Sequence, residues 1–450
     1  MSELVSSPIL SPQESFREFR DNGLRLDGPS TGLENVHDYE PGGHHPLHLG
    51  DILNGRYKVL HKLGNGGYAN IWLCRDVQRE VAHYFAVKIL MADASIDDCH
   101  ELRVYRLLRL GLAKCDAAEH LCLPIGRFDI QGPNGQHFAL VFPVLGPRVS
   151  ILPQILRLED PTRTLRNVCF QVTKAIATLH SYGTCHGDLR PANILVQVKG
   201  LTGLLEEELD QALGVPETVD ISRASGKGSW PSTAPHYLVK PIEWGSLNIR
   251  DTGISFLTSR ACLVDFGESF DVRDVPEDLG APEEYRAPEY VLDKRVGAET
   301  DIWALGCTLF EIRTGKRLFD LLDDDPDDHL ERMVDILGKF PEPWWSKTWE
   351  ARRRYFRDER DRDRDRRLSY QPIRTPGSMA AAATTKDEPI PHSIEDALLG
   401  ASGREQESTG IAVSPAEARV FADLLRRTLK YSPEQRITAE DLLEHDWFTM

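Results

Sequence analysis

The chain has 450 residues, 41% hydrophobic, 27% charged and 8% aromatic, an ordinary globular composition that excludes a wholly disordered chain or a fibre. Its 53 Lys and Arg against 70 Asp and Glu give a formal charge of −17, which argues against general binding to nucleic acid or to an anionic membrane. The charge either keeps the chain soluble and nothing more, or suits a cationic partner. No apolar run approaches the roughly 18 residues that span a bilayer, and the first residues lack a basic region followed by an apolar one, so a soluble, unsecreted protein is expected. Eight cysteines without metal-ligand spacing read as buried, reduced thiols.

In chain order, residues 1–38 are rich in Ser, Pro, Gly and charge and read as a flexible tail, followed by an ordered extension over 39–56. From Tyr57 the alternation of YKVLHKL, NIWLCRD and YFAVKIL predicts an antiparallel meander of three strands. The segment DDCHELRVYRLLRL predicts one helix among strands, and HFALVFPVLG is a further apolar run ending at Gly146. NVCFQVTKAIATLHSYG repeats its apolar residues at helical spacing and predicts a long buried helix. The first part is therefore mostly sheet and the second mostly helix, an α+β chain of two lobes. Segments 199–256 and 357–392, the latter with RDERDRDRDRR and several prolines, read as insertions in loops.

Three strings carry chemistry. In LGNGGYANIWL, Gly64 and Gly66 fall between two predicted strands, where glycines let a hairpin approach a phosphate chain, so Leu63, Gly64, Asn65, Gly66 and Gly67 are the candidate phosphate loop. Taken alone, this is as readily an ordinary turn, and Ala69 stands where a third glycine is usual. Lys88 ends the apolar strand AVK facing inward and needs an anion, which Glu101 on the next helix can provide; such a pair suits the α- and β-phosphates of a nucleotide. In HGDLRPANIL, Asp188 and Asn193 lie five residues apart in a Pro-containing loop, so a carboxylate to accept a hydroxyl proton and an amide oxygen for Mg²⁺ can converge. In ACLVDFG, an apolar strand delivers Asp265 into a turn as a second metal ligand.

In this order the strings resemble the eukaryotic protein kinases, a resemblance that covers 57–448 and extends through YRAPE, DIWALGCTLFE and PEQRITAEDLLEHDWF. It implies a bilobal kinase fold, with a small β-rich N-lobe over about 57–143 and a helical C-lobe over about 147–448, and ATP and Mg²⁺ as cofactors. It further implies a buried Glu289–Arg436 ion pair, Asp301 bracing the catalytic loop from a central helix, and adenine held by the Pro143 carbonyl and the Leu145 amide. Phe142 would back that pocket and Ile71, Ala86 and Leu195 would wall it.

YEPGGHHPLHLGDILNGRYKVLHKLG, GQHFALVFPVLG, WWSKTWEARRRYF, AEARVFADLLRRTLKYSPEQRI and the long spacer between Asn193 and Asp265 narrow the resemblance to the serine/arginine-rich protein kinases. That resemblance implies phosphorylation of serines in Arg/Ser-rich splicing factors by a monomer found in cytoplasm and nucleus, without direct nucleic-acid or membrane contact. Asp323, Asp324, Asp325, Asp327, Asp328 and Glu331 are a candidate docking cluster for such a basic substrate, or a solvated loop. Residues 357–367, with six Arg against five acids, could mimic a product in cis or have no role.

Two departures stand out. Gly187 replaces the Arg most protein kinases carry between His and Asp, and Arg190 replaces the usual Lys, a planar fork for a point charge near the γ-phosphate. His-Gly-Asp is also how aminoglycoside and choline kinases spell this loop, so a small-molecule kinase is the alternative enzyme. A pseudokinase scaffold for Arg-rich proteins is the alternative without catalysis.

Overall fold

The computed structural model describes residues 21–97, 99–111, 119–155, 160–225, 229–245, 247, 257–321, 325–356, 393–400 and 411–450. Among them no helix is long and apolar enough to cross a membrane. In chain order the strands are β1 (Leu24–Leu26), β2 (Ile52–Leu53), β3 (Tyr57–Gly66), β4 (Ala69–Asp76), β5 (Tyr84–Leu90), β6 (Gly126–Gly132) and β7 (Gly135–Pro143). There follow β8 (Leu145–Arg148), β9 (Thr184–Cys185), β10 (Ile194–Val198), β11 (Thr218–Arg223), β12 (Tyr237–Val239), β13 (Leu257–Leu263) and β14 (Phe270–Asp271). The helices that position functional residues are α1 (His100–Gly111), α2 (Leu152–Ile155), α3 (Pro161–Ser181), α4 (Glu206–Leu213), α5 (Pro288–Asp293), α6 (Ala298–Thr314) and α7 (Pro326–Leu337).

The chain divides into two compact units, the first made of residues 1–109, 122–147 and 196–258, the second of 110–121, 148–195 and 259–450. In the first, the predicted meander forms part of a six-stranded antiparallel sheet, β2-β3-β4-β5-β7-β6. Its two faces follow from alternation. One carries Tyr57, Val59, Trp72, Cys74, Val87, Ile89, Ala139 and Val141; the other packs Ala69, Leu90, Phe138 and Leu140 against Leu102 of α1.

Two expectations are corrected in this unit. Residues 21–38, expected to belong to a flexible tail, contain β1, which pairs antiparallel with β11 so that Leu24 stands opposite Arg223. The segment 199–256, expected to be loop-like, contributes α4, β11 and β12. Leu24, Val36 and Tyr39 share a buried cluster with Ile221, Ala234 and Leu238. Neither segment has an apolar period of its own, because each supplies only a few residues to a core the two build jointly. Glu206 on α4 ties this module to the sheet by bonding Lys58 on β3 at 2.8 Å and Arg75 on β4 at 2.9 Å.

The second unit is mainly helical. The predicted long helix is α3, begun by the Asp160 side chain, which accepts from the Arg163 N–H, and by Pro161 in its first turn. Nearly every residue of α6 is buried, the mark of a helix at the centre of a core. Arg436 makes a bidentate pair with Glu289 at 2.6 Å through each terminal nitrogen, and Arg313 makes another with Glu417 at 2.8 Å. Six of the seven described cysteines are buried and all seven are free thiols, while Cys115 lies outside the described residues.

Candidate active site

In the first unit, register places Lys88 opposite Ile71 on β4 and Leu140 on β7, and Ala86 opposite Leu73 and Phe142. All six therefore project from the face that packs on α1. Lys88 Nζ donates to Glu101 Oε1 at 2.5 Å, so the buried-side lysine has the anion its position demands. β3 ends at Gly66 and β4 begins at Ala69, which puts Leu63–Gly67 at the closed end of the hairpin. A Cβ added at Gly64, Gly66 or Gly67 would meet no atom within 4 Å. Packing does not require glycine at these three positions, whereas a ligand lying against the backbone would. Pro143 ends β7 and Leu145 opens β8.

In the second unit, the loop that carries Asp188 and Asn193 is built between β9 and β10, with Leu195 on the latter. Asp301 at the start of α6 accepts from the His186 N–H at 2.7 Å, the Gly187 N–H at 3.0 Å and His180 Nε2 at 3.0 Å. Burial alone would raise the Asp301 carboxyl, but these bonds and the nearby imidazoles hold it below its ordinary range. His186 Nε2 lies 3.0 Å from the Val264 carbonyl, and the Val264 N–H donates to the Asn193 carbonyl at 2.9 Å. The loop is thus tied at both ends to the residue preceding Asp265. Asp265 itself has φ +63°, a left-handed conformation uncommon outside glycine that is often retained where a side chain must be aimed.

Around Asp188 the polar groups converge. Asn193 Nδ2 donates to the Asp188 carbonyl at 2.8 Å and to its Oδ2 at 2.7 Å, and Arg190 Nε donates to Oδ1 at 3.1 Å and Oδ2 at 3.2 Å. Burial raises the Asp188 carboxyl above the usual aspartate range, against the pull of Arg190 and His186. With Nδ2 spent on Asp188 and the backbone carbonyl on the Val264 N–H, the Asn193 side-chain oxygen Oδ1 is the atom that could meet a cation. Together with the Asp265 carboxylate it makes an all-oxygen donor set, which fits Mg²⁺.

Sequence reading missed His180, the third donor to Asp301 from 121 positions away; no local string marks it. It also missed how far the acidic cluster is already engaged. Trp349 Nε1 donates to Asp327 at 2.9 Å and the Tyr355 hydroxyl to Asp328 at 2.9 Å, while Asp325 caps α7 through the Asp327 N–H. Asp323, Asp324 and the Arg-Asp run at 357–367 lie outside the described residues.

A lysine–glutamate pair lies in one unit and a braced Asp-Asn loop with a left-handed Asp265 in the other, and residues 257–448 match the model of the protein kinase domain. The chain is 26% identical over 447 residues to the serine/threonine-protein kinase SRPK of Physarum polycephalum, covering 95% of this chain and 93% of that protein. It is 26% identical over 415 residues to the serine/threonine-protein kinase AFC3 of Arabidopsis thaliana, covering 92% and 87%. The serine/threonine-protein kinase spk-1 of Caenorhabditis elegans is 31% identical over 236 residues, 50% of this chain and 22% of that longer one. The chain is a protein serine/threonine kinase that resembles the SR protein kinases, and the small-molecule-kinase and scaffold alternatives give way. Kinases of this class generally use ATP with Mg²⁺.

Proposed function

We propose that this kinase transfers the γ-phosphoryl group of Mg-ATP to serines in Arg/Ser-rich proteins such as splicing factors. The observation that carries the transfer chemistry is the convergence of Asn193 and Arg190 on the Asp188 carboxylate, in a loop fixed by Asp301. Asp188 orients the substrate hydroxyl and takes its proton as the serine oxygen–phosphorus bond forms and the bond to the β-phosphate oxygen breaks, releasing ADP. Lys88, held by Glu101, grips the α- and β-phosphates. Arg190 donates to Asp188 through Nε alone, and its terminal nitrogens serve the γ-phosphate. Asn193 and Asp265 would hold Mg²⁺, which would neutralise charge on the phosphates. Leu63, Gly64, Asn65, Gly66 and Gly67 lie along the phosphate chain; Ile71, Ala86, Phe142, Pro143, Leu145 and Leu195 serve the adenine.

The substrate reading rests on the resemblance, on the charge of −17 and on α7. Burial, and after it Asp335, push the Glu331 carboxyl up to about 7. An Arg-rich peptide docking there binds the ionised form, whose fraction grows as pH rises. The KM for an Arg-Ser peptide is therefore expected to fall between pH 6 and pH 8 and to rise with salt. Glu331→Gln should flatten the pH dependence, and an unaltered profile would move docking elsewhere. The direct test of the whole reading is phosphate incorporation from Mg-ATP into an Arg-Ser peptide against a Lys-Ser peptide, choline and aminoglycosides. Equal turnover of the two peptides would remove the arginine specificity.

Activity is also expected to survive phosphatase treatment. Between Asp265 and Glu289 the only hydroxyl of the Ser/Thr type is Ser269, which is 3% exposed and donates to the Phe266 carbonyl at 2.6 Å. The loop arginine that would receive a phosphate is Gly187. The segment is instead held by pairing of β14 with β9 and by the Val272 N–H on the Gly183 carbonyl at 2.9 Å. Loss of turnover after dephosphorylation would contradict this.

A further inference from the structure

The N-terminal residues that fold beside the insert touch the one hairpin whose shape matters most. Lys62 precedes Leu63 and Gly64 on β3, and its ammonium is completely buried with the Glu34 carboxylate, the side chains being 0% and 2% exposed. Lys62 Nζ donates to Glu34 Oε2, and the Tyr39 hydroxyl donates to Glu34 Oε1 at 2.7 Å. Asn70, on the opposite arm of the hairpin, lies against the same Tyr39 hydroxyl. At the hairpin end, Asn65 Nδ2 donates to the Gly32 carbonyl at 3.2 Å. From the insert, the Ile242 N–H donates to the Lys62 carbonyl at 3.0 Å.

The β3–β4 register is irregular on both sides of this lysine, with shifts between Val59 and His61 and between Lys62 and Gly64. Such bulges bend a strand and re-aim its next residues. A hydrophobic side chain would fill the position of Lys62 at less desolvation cost, so a buried ion pair here is better understood as fixing geometry than as adding stability. Removing the anion strands the ammonium in the core and frees the bulge.

We propose that Glu34, Tyr39 and Lys62 are positioning residues that staple the glycine hairpin in the conformation that takes the phosphates of ATP. The proposal deepens the kinase reading and rests on it for the ligand, though not for the staple itself. A hairpin that is correctly aimed only part of the time binds nucleotide with an affinity reduced by that fraction, while the chemistry after binding is unchanged.

The test compares wild type with Y39F, E34Q and the double variant E34L/K62M in the full chain. Glu34→Gln is expected to raise the KM for ATP by about tenfold, and Tyr39→Phe by roughly threefold, with kcat and the KM for peptide within about twofold. Amide exchange of residues 63–70, measured without nucleotide, should accelerate in the same order. The double variant restores a neutral core and should recover thermal stability while keeping the raised KM for ATP. Unchanged exchange at 63–70 in folded E34Q would overturn the staple, and so would a double variant that recovers both stability and the KM for ATP. If E34Q does not fold, Y39F decides by the same two measurements. Because exchange is read without nucleotide, it judges the staple independently of whether the hairpin binds ATP.

Discussion

Alanine in place of Asp188 is expected to lower turnover by about 10²–10⁴-fold, the usual worth of a positioned general base. Asparagine there should do nearly as much damage. Asp188→Asn keeps the shape but sets an NH2 donor against either Asn193 Nδ2 or Arg190 Nε, which bond different carboxylate oxygens at 2.7 and 3.1 Å, and its amide oxygen is too weak a base to take the serine proton. Asp265→Ala is expected to cost about 10³-fold through lost charge neutralisation, and excess Mg²⁺ should recover only part of it. The remaining activity of wild type should fall on the acid side at a pH above the ordinary aspartate pKa, since burial raises the carboxyl that must be ionised to act as base. Single-turnover rates with Mg-ATP and peptide measure all three. Wild-type-like turnover in either alanine variant would remove that residue from its assigned role.

The parts of the site that the sequence displays are those whose chemistry is compressed into contiguous strings. Asp188 and Asn193 are five residues apart because one short loop brings the Asn193 amide to the Asp188 carboxylate, and that spacing is visible before any fold is known. Asp265 is visible because an apolar strand must deliver it. The lysine–glutamate pair is legible for the same reason, with strand and helix adjacent in the chain.

The illegible parts are assembled across distance. That Asp301 braces the loop is implied by the resemblance alone, since locally it is one acid in an apolar helix, and only the fold shows which groups, His180, His186 and Gly187, donate to it. The module of β1, β11 and β12 escaped because Leu24, Val36 and Tyr39 are too few and too scattered to form a period, and their partners lie near residue 230. Glu34 and Lys62 are 28 positions apart, each an ordinary charge in a charged neighbourhood. Composition there signals disorder, while the buried contacts that offset the ordering entropy come from another segment.

Replacing Gly187 by arginine, the residue most protein kinases carry there, is expected to inactivate this one. Gly187 has φ +79°, and a Cβ built on it falls 2.2 Å from the Glu268 carbonyl oxygen and 3.0 Å from the carbonyl carbon. Those are backbone atoms and cannot rotate away. Left-handed geometry adds roughly 1–3 kcal/mol of strain for any side chain. Relief requires the turn at 265–269 to move off the catalytic loop. That shifts Asp265 and the Val264 N–H bond to the Asn193 backbone carbonyl while pulling on the Asp301 bond to the Gly187 N–H at 3.0 Å. Gly187→Ala should already lower turnover about 10²-fold, since about 1.36 kcal/mol of misplacement is tenfold in rate, and Gly187→Arg should lower it at least as far. Neither variant should gain dependence on phosphorylation, because the segment holds no accessible hydroxyl to modify. The contrast is with a loop that merely lost a regulatory arginine, in which restoring the side chain would be harmless. Turnover, the KM for Mg²⁺ and thermal stability of the two variants separate these cases. A Gly187→Arg protein that folds and turns over like wild type would show that the close approach to Glu268 is not required for the site.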